Sequence, residues 1–274
     1  MSTTSNRFTE KRVVVTGAAS GLGRALAVRF AAEKWRVAIA DLKVDGADET
    51  LEQVRAAGGD GFVQRCDVRA DADWEELRAR VRSEWRGVDV VINNAGVGAA
   101  GSVVETSLAD WQWMLDINLL GVVRGCRTFV PMLLEQRSGH VVNVASFAAI
   151  ASAPGMVAYN VAKAGVFSLS ESLRAEVLDE GVDVTVACPS FFQTNLLDSF
   201  RSPDPDVKAK VTRLMQRARI TADDVARDIY DAVMNRRFLV ISHDEARWHY
   251  RLKRVTPELF YREVRKAMGR LTKS

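Results

Sequence analysis

The stretch RVVVTGAASGLGRALAVRFAAEKW, residues 12–35, decides the reading of the fold. It begins with three consecutive valines, and β-branched side chains suit a pleated strand. From Gly21 onward the apolar residues fall at helical spacing. Between strand and helix lies TGAASGLG, residues 16–23. A strand, a glycine-rich turn and a helix in that order make a cradle for phosphates. Gly17 permits the tight turn, while Gly21 and Gly23 let backbone and helix come close to a pyrophosphate. The helix start, around Ser20, Gly21, Leu22 and Gly23, offers free N–H groups and a positive dipole end. No Gly-Lys-Ser/Thr closes the loop, which excludes a nucleotide triphosphatase cradle.

The alternation of strand and helix continues along the chain. Strand candidates follow at 36–41, 61–68, 88–96, 139–146, 182–190 and 237–242, with helical patterns between them. These runs are apolar throughout, which implies burial on both faces and hence a parallel sheet. The pattern predicts a single-domain α/β protein, a doubly wound Rossmann fold with a seven-stranded parallel sheet. Two regions depart from it. Residues 191–217 read as a helical lid after the sixth strand, and residues 243–274 as a basic helical tail with nine Lys/Arg against four Asp/Glu. A basic amphipathic tail suits a membrane surface or a partner. Its Trp248, Tyr250, Leu252, Leu259, Phe260 and Val264 are nevertheless expected to pack on the body or on a neighbouring subunit.

Composition narrows the classes. Of 274 residues, 47% are hydrophobic and 27% charged, as in a globular protein with a sizeable core. A net charge of +3, without a basic stripe carrying interleaved aromatics, argues against nucleic-acid binding. Cys66, Cys126 and Cys188 are far apart and odd in number, so neither a disulfide framework nor a metal site is expected, and a reducing cytoplasm fits. The N-terminal dozen residues are polar and lack the apolar region of a signal peptide. Residues 138–162 carry no Asp, Glu, Lys or Arg. Ser, Asn, Gly, Pro and His break that run into a strand, a loop and a helix start, so no transmembrane segment is expected.

YNVAK, residues 159–163, sets a phenol and an ammonium one helical turn apart, downstream of Ser146. A cation held there lowers the cost of ionising the phenol, whose ordinary pKa is about 10. Tyr159 is thus a candidate acid/base and Lys163 the group that tunes it. Asp41, at the end of the second strand, can accept both ribose hydroxyls of an adenosine and would repel a 2′-phosphate. Ser20 and Leu42 stand where a base would greet that phosphate. NAD is therefore expected over NADP, with Lys43 the one nearby cation against it.

Together TGAASGLG, the NNAG at 93–96, Asn118 in DINLLG, Ser146 and YNVAK resemble the short-chain dehydrogenase/reductase family over residues 10–242. The resemblance implies hydride transfer between NAD(H) and a CH–OH carbon. It implies Tyr159 as proton donor or acceptor, Lys163 on the nicotinamide ribose, Ser146 on the substrate oxygen and Asn118 holding a relay water. It implies Asn93, Asn94, Ala95 and Gly96 along the cofactor, and Asp67 with Val68 at the adenine. Pro189, Phe192 and Thr194 would surround the nicotinamide, Thr194 holding its amide. Family members commonly pair through the fourth and fifth helices, here about 107–135 and 157–180, so a homodimer or homotetramer is expected. One departure stands out: Ser190 follows Pro189 where the family usually has glycine, at a cost in backbone freedom.

The substrate pocket is expected among Phe147, Ile150, Met156, Phe191, Phe192, Leu196 and Leu197, with no charged residue between Ser146 and Tyr159. Apolar walls with a few polar points suit a lipophilic secondary alcohol or its ketone. Arg201, Lys208 and Lys210 in the lid would serve an acidic handle docked outside. Two rival readings keep the fold: an NADPH-dependent carbonyl or 3-oxoacyl reductase, and a non-catalytic dinucleotide-sensing protein. His140, His243 and His249 are scattered and pair as no metal site. Trp111 and Trp113 are expected to anchor the fourth crossover helix, with a place near a subunit contact left open for Trp113.

Overall fold

A computed structural model describes residues 7–192, 195–216 and 218–272 of the chain. The N-terminal half runs β1 (Arg12–Thr16), α1 (Gly21–Ala31), β2 (Arg36–Asp41), α2 (Val44–Ala56), β3 (Asp60–Arg65), α3 (Asp71–Trp85) and β4 (Val90–Asn93). Then follow α4 (Leu108–Leu115), α5 (Gly121–Gln136), β5 (Gly139–Val144), α6 (Ala148–Ala151), α7 (Val157–Val177) and β6 (Val182–Ala187). The chain ends with α8 (Pro205–Gln216), α9 (Ala222–Met234), β7 (Leu239–Val240), α10 (Asp244–Val255) and α11 (Pro257–Thr272).

The seven strands are all parallel, in the order β3-β2-β1-β4-β5-β6-β7. Each strand feeds apolar side chains to both faces, as period-two alternation requires. Val14 and Val91 join one core layer with Trp74, Leu77, Phe129 and Leu133. Val13, Val15, Ile39, Val90 and Ile92 join the other with Leu26, Phe30, Val225 and Ile229. Two apolar faces are what forced the uninterrupted hydrophobic runs in the sequence. The order reverses between β1 and β4, which opens a crevice at the carboxyl ends of the strands.

Leu108–Gln136 is one continuous helical run, long and apolar enough to cross a membrane by length and composition. Its Val122, Cys126, Phe129 and Leu133 are buried in the core. A π-helical turn, Asp116–Leu120, separates α4 from α5 and buries Asn118 completely. Such single wide turns re-aim a side chain, often at a functional site.

The predicted lid comprises a short 3-10 turn, Asn195–Leu197, and α8. It is pinned to the loop after β4: Ala100 N–H donates to the Arg201 carbonyl (2.9 Å), and Arg201 N–H to that of Gly98 (3.3 Å). The tail packs on the body only in part. Phe260 is wholly buried and Tyr250 leans on the core, whereas Trp248 and Leu259 stay exposed on the single chain. Packing satisfies one stripe of each helix, and these two residues fall outside it.

Candidate active site

The glycine-rich turn is built as the sequence demands. Gly17 has a φ of +65° and Gly21 of +53°. A Cβ on Gly23 would fall 2.1 Å from the Gly17 carbonyl oxygen, so only hydrogen fits there. The turn is locked to the loop after β4. Thr16 Oγ1 accepts the N–H groups of Asn94 (3.0 Å) and Ala95 (3.1 Å), and Asn94 Nδ2 donates to the Thr16 carbonyl (2.9 Å). At the start of α1 the Ser20 side chain makes no capping bond and the first turn holds no acid. Its N–H groups are left for an anion.

A cavity of about 480 Å³ runs from this turn across the carboxyl ends of the strands. At one end lie Gly17, Ser20, Gly21, Leu22 and Gly23 with Asp41, Asp67 and Val68. In the middle lie Asn94, Ala95 and Gly96. At the other end lie Ser146, Phe147, Met156, Tyr159, Lys163, Pro189, Phe191 and Phe192. The predicted residues thus converge, with exceptions: Asn118 is wholly buried and does not line the cavity. Thr194 falls outside the described residues. Asn93 turns away into the core, where its Nδ2 donates to Asn143 Oδ1 (2.9 Å) and Asn143 donates to Ser170 Oγ (3.0 Å). Successive strand residues face opposite sides, so Asn94 takes the cavity and Asn93 cannot. Ile150 packs in the core beneath α6 instead of lining the pocket.

Asp41 lines the cavity beside the glycine-rich turn. Its Oδ2 accepts the Ala19 N–H (2.8 Å) and its Oδ1 the Lys43 N–H (2.9 Å). A carboxylate oxygen has more than one acceptor site, so both keep capacity for a hydroxyl. Asp67 is clamped by Arg69 (Nη2 to Oδ2, 2.6 Å), and that hydrogen-bonded pairing holds its carboxyl below the usual range.

The other end holds the phenol and the ammonium. Both project from α7 on one face, with Lys163 Nζ 5.9 Å from the Tyr159 ring centre. Lys163 Nζ donates to the Val144 carbonyl (2.9 Å). Ser146 Oγ accepts the Ala148 N–H (3.1 Å) and acts on the Tyr159 phenol from the same end of the cavity. Asn118 uses both ends of its amide on Val97, accepting its N–H (2.9 Å) and donating to its carbonyl (2.8 Å). That clasp holds the loop carrying Gly96 over Lys163.

The expected lowering of the Tyr159 pKa by Lys163 does not come from the protein alone. Burial dominates and raises the phenol, with the Ser146 side chain pulling the other way. Burial likewise lowers Lys163 to about 8. Desolvation penalises both charged forms, and two groups in one dry pocket suffer it together. Cys188, beneath them, is pushed by burial up to about 12, which makes it an inert thiol.

Several lining residues gave no signal in the sequence. Trp113 faces the cavity, beside Phe200, Val211 and Met215 from the lid. The Arg201 guanidinium stacks over Trp113 at 3.9 Å and pairs with Asp110 (2.9 Å), so it is not the free docking handle expected.

Comparison with known proteins agrees with this geometry. The family model for short chain dehydrogenases matches residues 11–205. A probable oxidoreductase, EphD of Mycobacterium tuberculosis, is 34% identical over 260 residues, covering 92% of this chain and 44% of that protein. The chain therefore spans less than half the length of that relative. A 3beta-hydroxysteroid dehydrogenase of Eggerthella lenta is 34% identical over 220 residues, covering 79% of this chain and 84% of it. The crystal structure of a short chain dehydrogenase/reductase from Burkholderia phymatum in complex with NAD superposes with a TM-score of 0.86 at 32% identity, covering 92% of this chain and 96% of that one. A cradle for phosphates, a Tyr–Lys–Ser cluster in the same crevice and these matches together place the chain in the short-chain dehydrogenase/reductase family, oxidoreductases that act on CH–OH groups with a nicotinamide dinucleotide.

Proposed function

We propose that this protein is an NAD(H)-dependent oxidoreductase that interconverts a lipophilic secondary alcohol and its ketone, with Tyr159 as the proton donor and acceptor. The observation that carries the reading is that Tyr159 and Ser146 line one end of the cavity, with Lys163 one turn away, and the glycine cradle lines the other. The cradle fits a dinucleotide: Gly23 lets α1 approach the Gly17 turn more closely than any Cβ would allow, and the start of α1 keeps uncapped N–H groups. Gly21–Gly23 would receive the pyrophosphate, Asp41 the adenosine ribose, Asp67 and Val68 the adenine, and Lys163 the second ribose. The nicotinamide supplies the hydride acceptor or donor when bound and, oxidised, a positive charge.

The chain's own part is placement and a proton path. Ser146 hydrogen-bonds the substrate oxygen and the Tyr159 oxygen together. Tyr159 takes the hydroxyl proton of an alcohol or returns one to a ketone. The protein alone keeps the phenol protonated, so Lys163 and the charge of the oxidised ring must act jointly to bring it into the working range. Asn118 holds the Val97 loop in place behind the ammonium.

The substrate end is walled by Trp113, Phe147, Met156, Phe191, Phe200 and Met215. Those walls, and a hydroxysteroid dehydrogenase among the relatives, support a lipophilic substrate. Asp41, with its two oxygens tied to the turn and to Lys43, supports NAD over NADP. A panel of alcohols assayed with each dinucleotide tests the reading. Turnover of apolar secondary alcohols with NAD is expected. Preference for small charged hydroxy acids, or for NADP, would overturn it. Copies are further proposed to pair through α5 and α7, where Leu120 in the π-helical turn before α5 and Val161 on α7 lie exposed.

A further inference from the structure

We propose that His243 is a positioning residue that holds the Ser190–Phe191 segment at the nicotinamide end of the cavity. The inference rests on the dinucleotide reading above. Ser190 N–H donates to His243 Nδ1 (3.4 Å), and His243 Nε2 donates to the Phe191 carbonyl (3.0 Å). One nitrogen accepts and the other donates, which is the pattern of a neutral imidazole. A single rigid ring therefore fixes two consecutive residues of the loop after β6.

The ring is itself held from several sides. It follows β7, whose Val240 carbonyl accepts the Cys188 N–H (2.8 Å). Its own carbonyl accepts the Arg247 N–H (3.0 Å), so it starts α10. That helix is tied to the other wall of the pocket. Lys253 Nζ donates to the Ile150 carbonyl (2.6 Å), and the His249 ring lies 6.4 Å from that of Phe147. Phe147 N–H in turn donates to the Pro189 carbonyl (2.8 Å), closing the circuit. The loop needs this help. Ser190 lacks the freedom of a glycine, and Pro189 has no N–H to anchor it.

The sheet order places the effect. Asp41 and Asp67 follow β2 and β3, whereas this loop follows β6, across β1, β4 and β5. His243 thus governs the nicotinamide half of the site and leaves the adenosine half alone.

The test is calorimetric binding of NADH, and of ADP as a probe of the adenosine half, to wild type, His243→Ala and His243→Gln. Two neutral hydrogen bonds are lost in the alanine variant, so NADH affinity is expected to fall about tenfold, with ADP affinity unchanged. A glutamine amide offers one acceptor and one donor, so His243→Gln is expected to recover most of the loss. His243→Asn, with the shorter reach to Ser190 alone, gives an intermediate loss and serves if the alanine variant does not fold. NADH affinity unchanged in the variants, or an equal fall in NADH and ADP, would overturn the assignment. A wild-type protein that binds neither ligand would instead sink the dinucleotide reading, and this inference with it.

Discussion

Replacing Gly23 with alanine tests the phosphate cradle most severely. Its Cβ would sit 2.1 Å from the Gly17 carbonyl oxygen and 2.7 Å from Asn94 Nδ2, where ordinary contact begins at 3.4 Å. The shortfall against the oxygen is 3.4 − 2.1 = 1.3 Å, and backbone must absorb it. Gly17 cannot retreat freely, because its N–H donates to the Ala40 carbonyl (2.8 Å) and its carbonyl accepts from Asn94 (3.2 Å). Overpacking of this kind costs about 1–3 kcal/mol. In a chain of this size each kcal/mol lowers Tm by about 2–4 °C. Binding should suffer more than stability, since the displaced turn is where the pyrophosphate is proposed to dock. Calorimetric titration with NADH and a thermal melt read both quantities. A Gly23→Ala protein with wild-type NADH affinity would show that the turn holds no phosphate.

Three further outcomes follow from the same geometry. Above about pH 8 the folded chain sheds the Lys163 proton, while the unfolded chain holds it toward its ordinary 10.5. The unfolded state then binds more protons, so stability rises with pH through that window, by about 2 kcal/mol between pH 7 and 9.5 from this group; denaturant melts of Lys163→Met should lack that increment. Asp89→Ala strands the buried Arg12 guanidinium, which now makes two bonds to the carboxylate (3.0 and 2.9 Å). A loss of about 3–5 kcal/mol is expected, read as a lower Tm, and an unchanged Tm would refute it. Leu120→Arg together with Val161→Arg should turn a dimer into a monomer by light scattering, and an unaltered mass would refute pairing through that face.

Much of the fold was legible because burial leaves a mark on composition. Seven apolar runs became seven strands, since a sheet covered on both faces admits few polar residues. The turn at residues 16–23 was legible because only glycine fits at Gly17 and Gly23. The pair Tyr159 and Lys163 was legible from spacing along one helix, and Ser146, which follows β5, from the family resemblance. What escaped lies where side chains choose between two apolar environments. Trp113 and Ile150 are both hydrophobic, yet the first faces the cavity and the second the core. His243 escaped because its partners are backbone groups more than fifty residues away, which leave no trace in the sequence pattern. The direction of the Tyr159 shift escaped because charge spacing can be read from a sequence and desolvation cannot.

The central claim is that the Tyr159 hydroxyl passes the substrate proton beside a bound nicotinamide. Its most direct test is Tyr159→Phe with NADH affinity and single-turnover rate measured on the same preparation. NADH affinity close to wild type, with turnover reduced by at least about 100-fold, is the result expected. Turnover near the wild-type rate in a variant lacking that oxygen would contradict it.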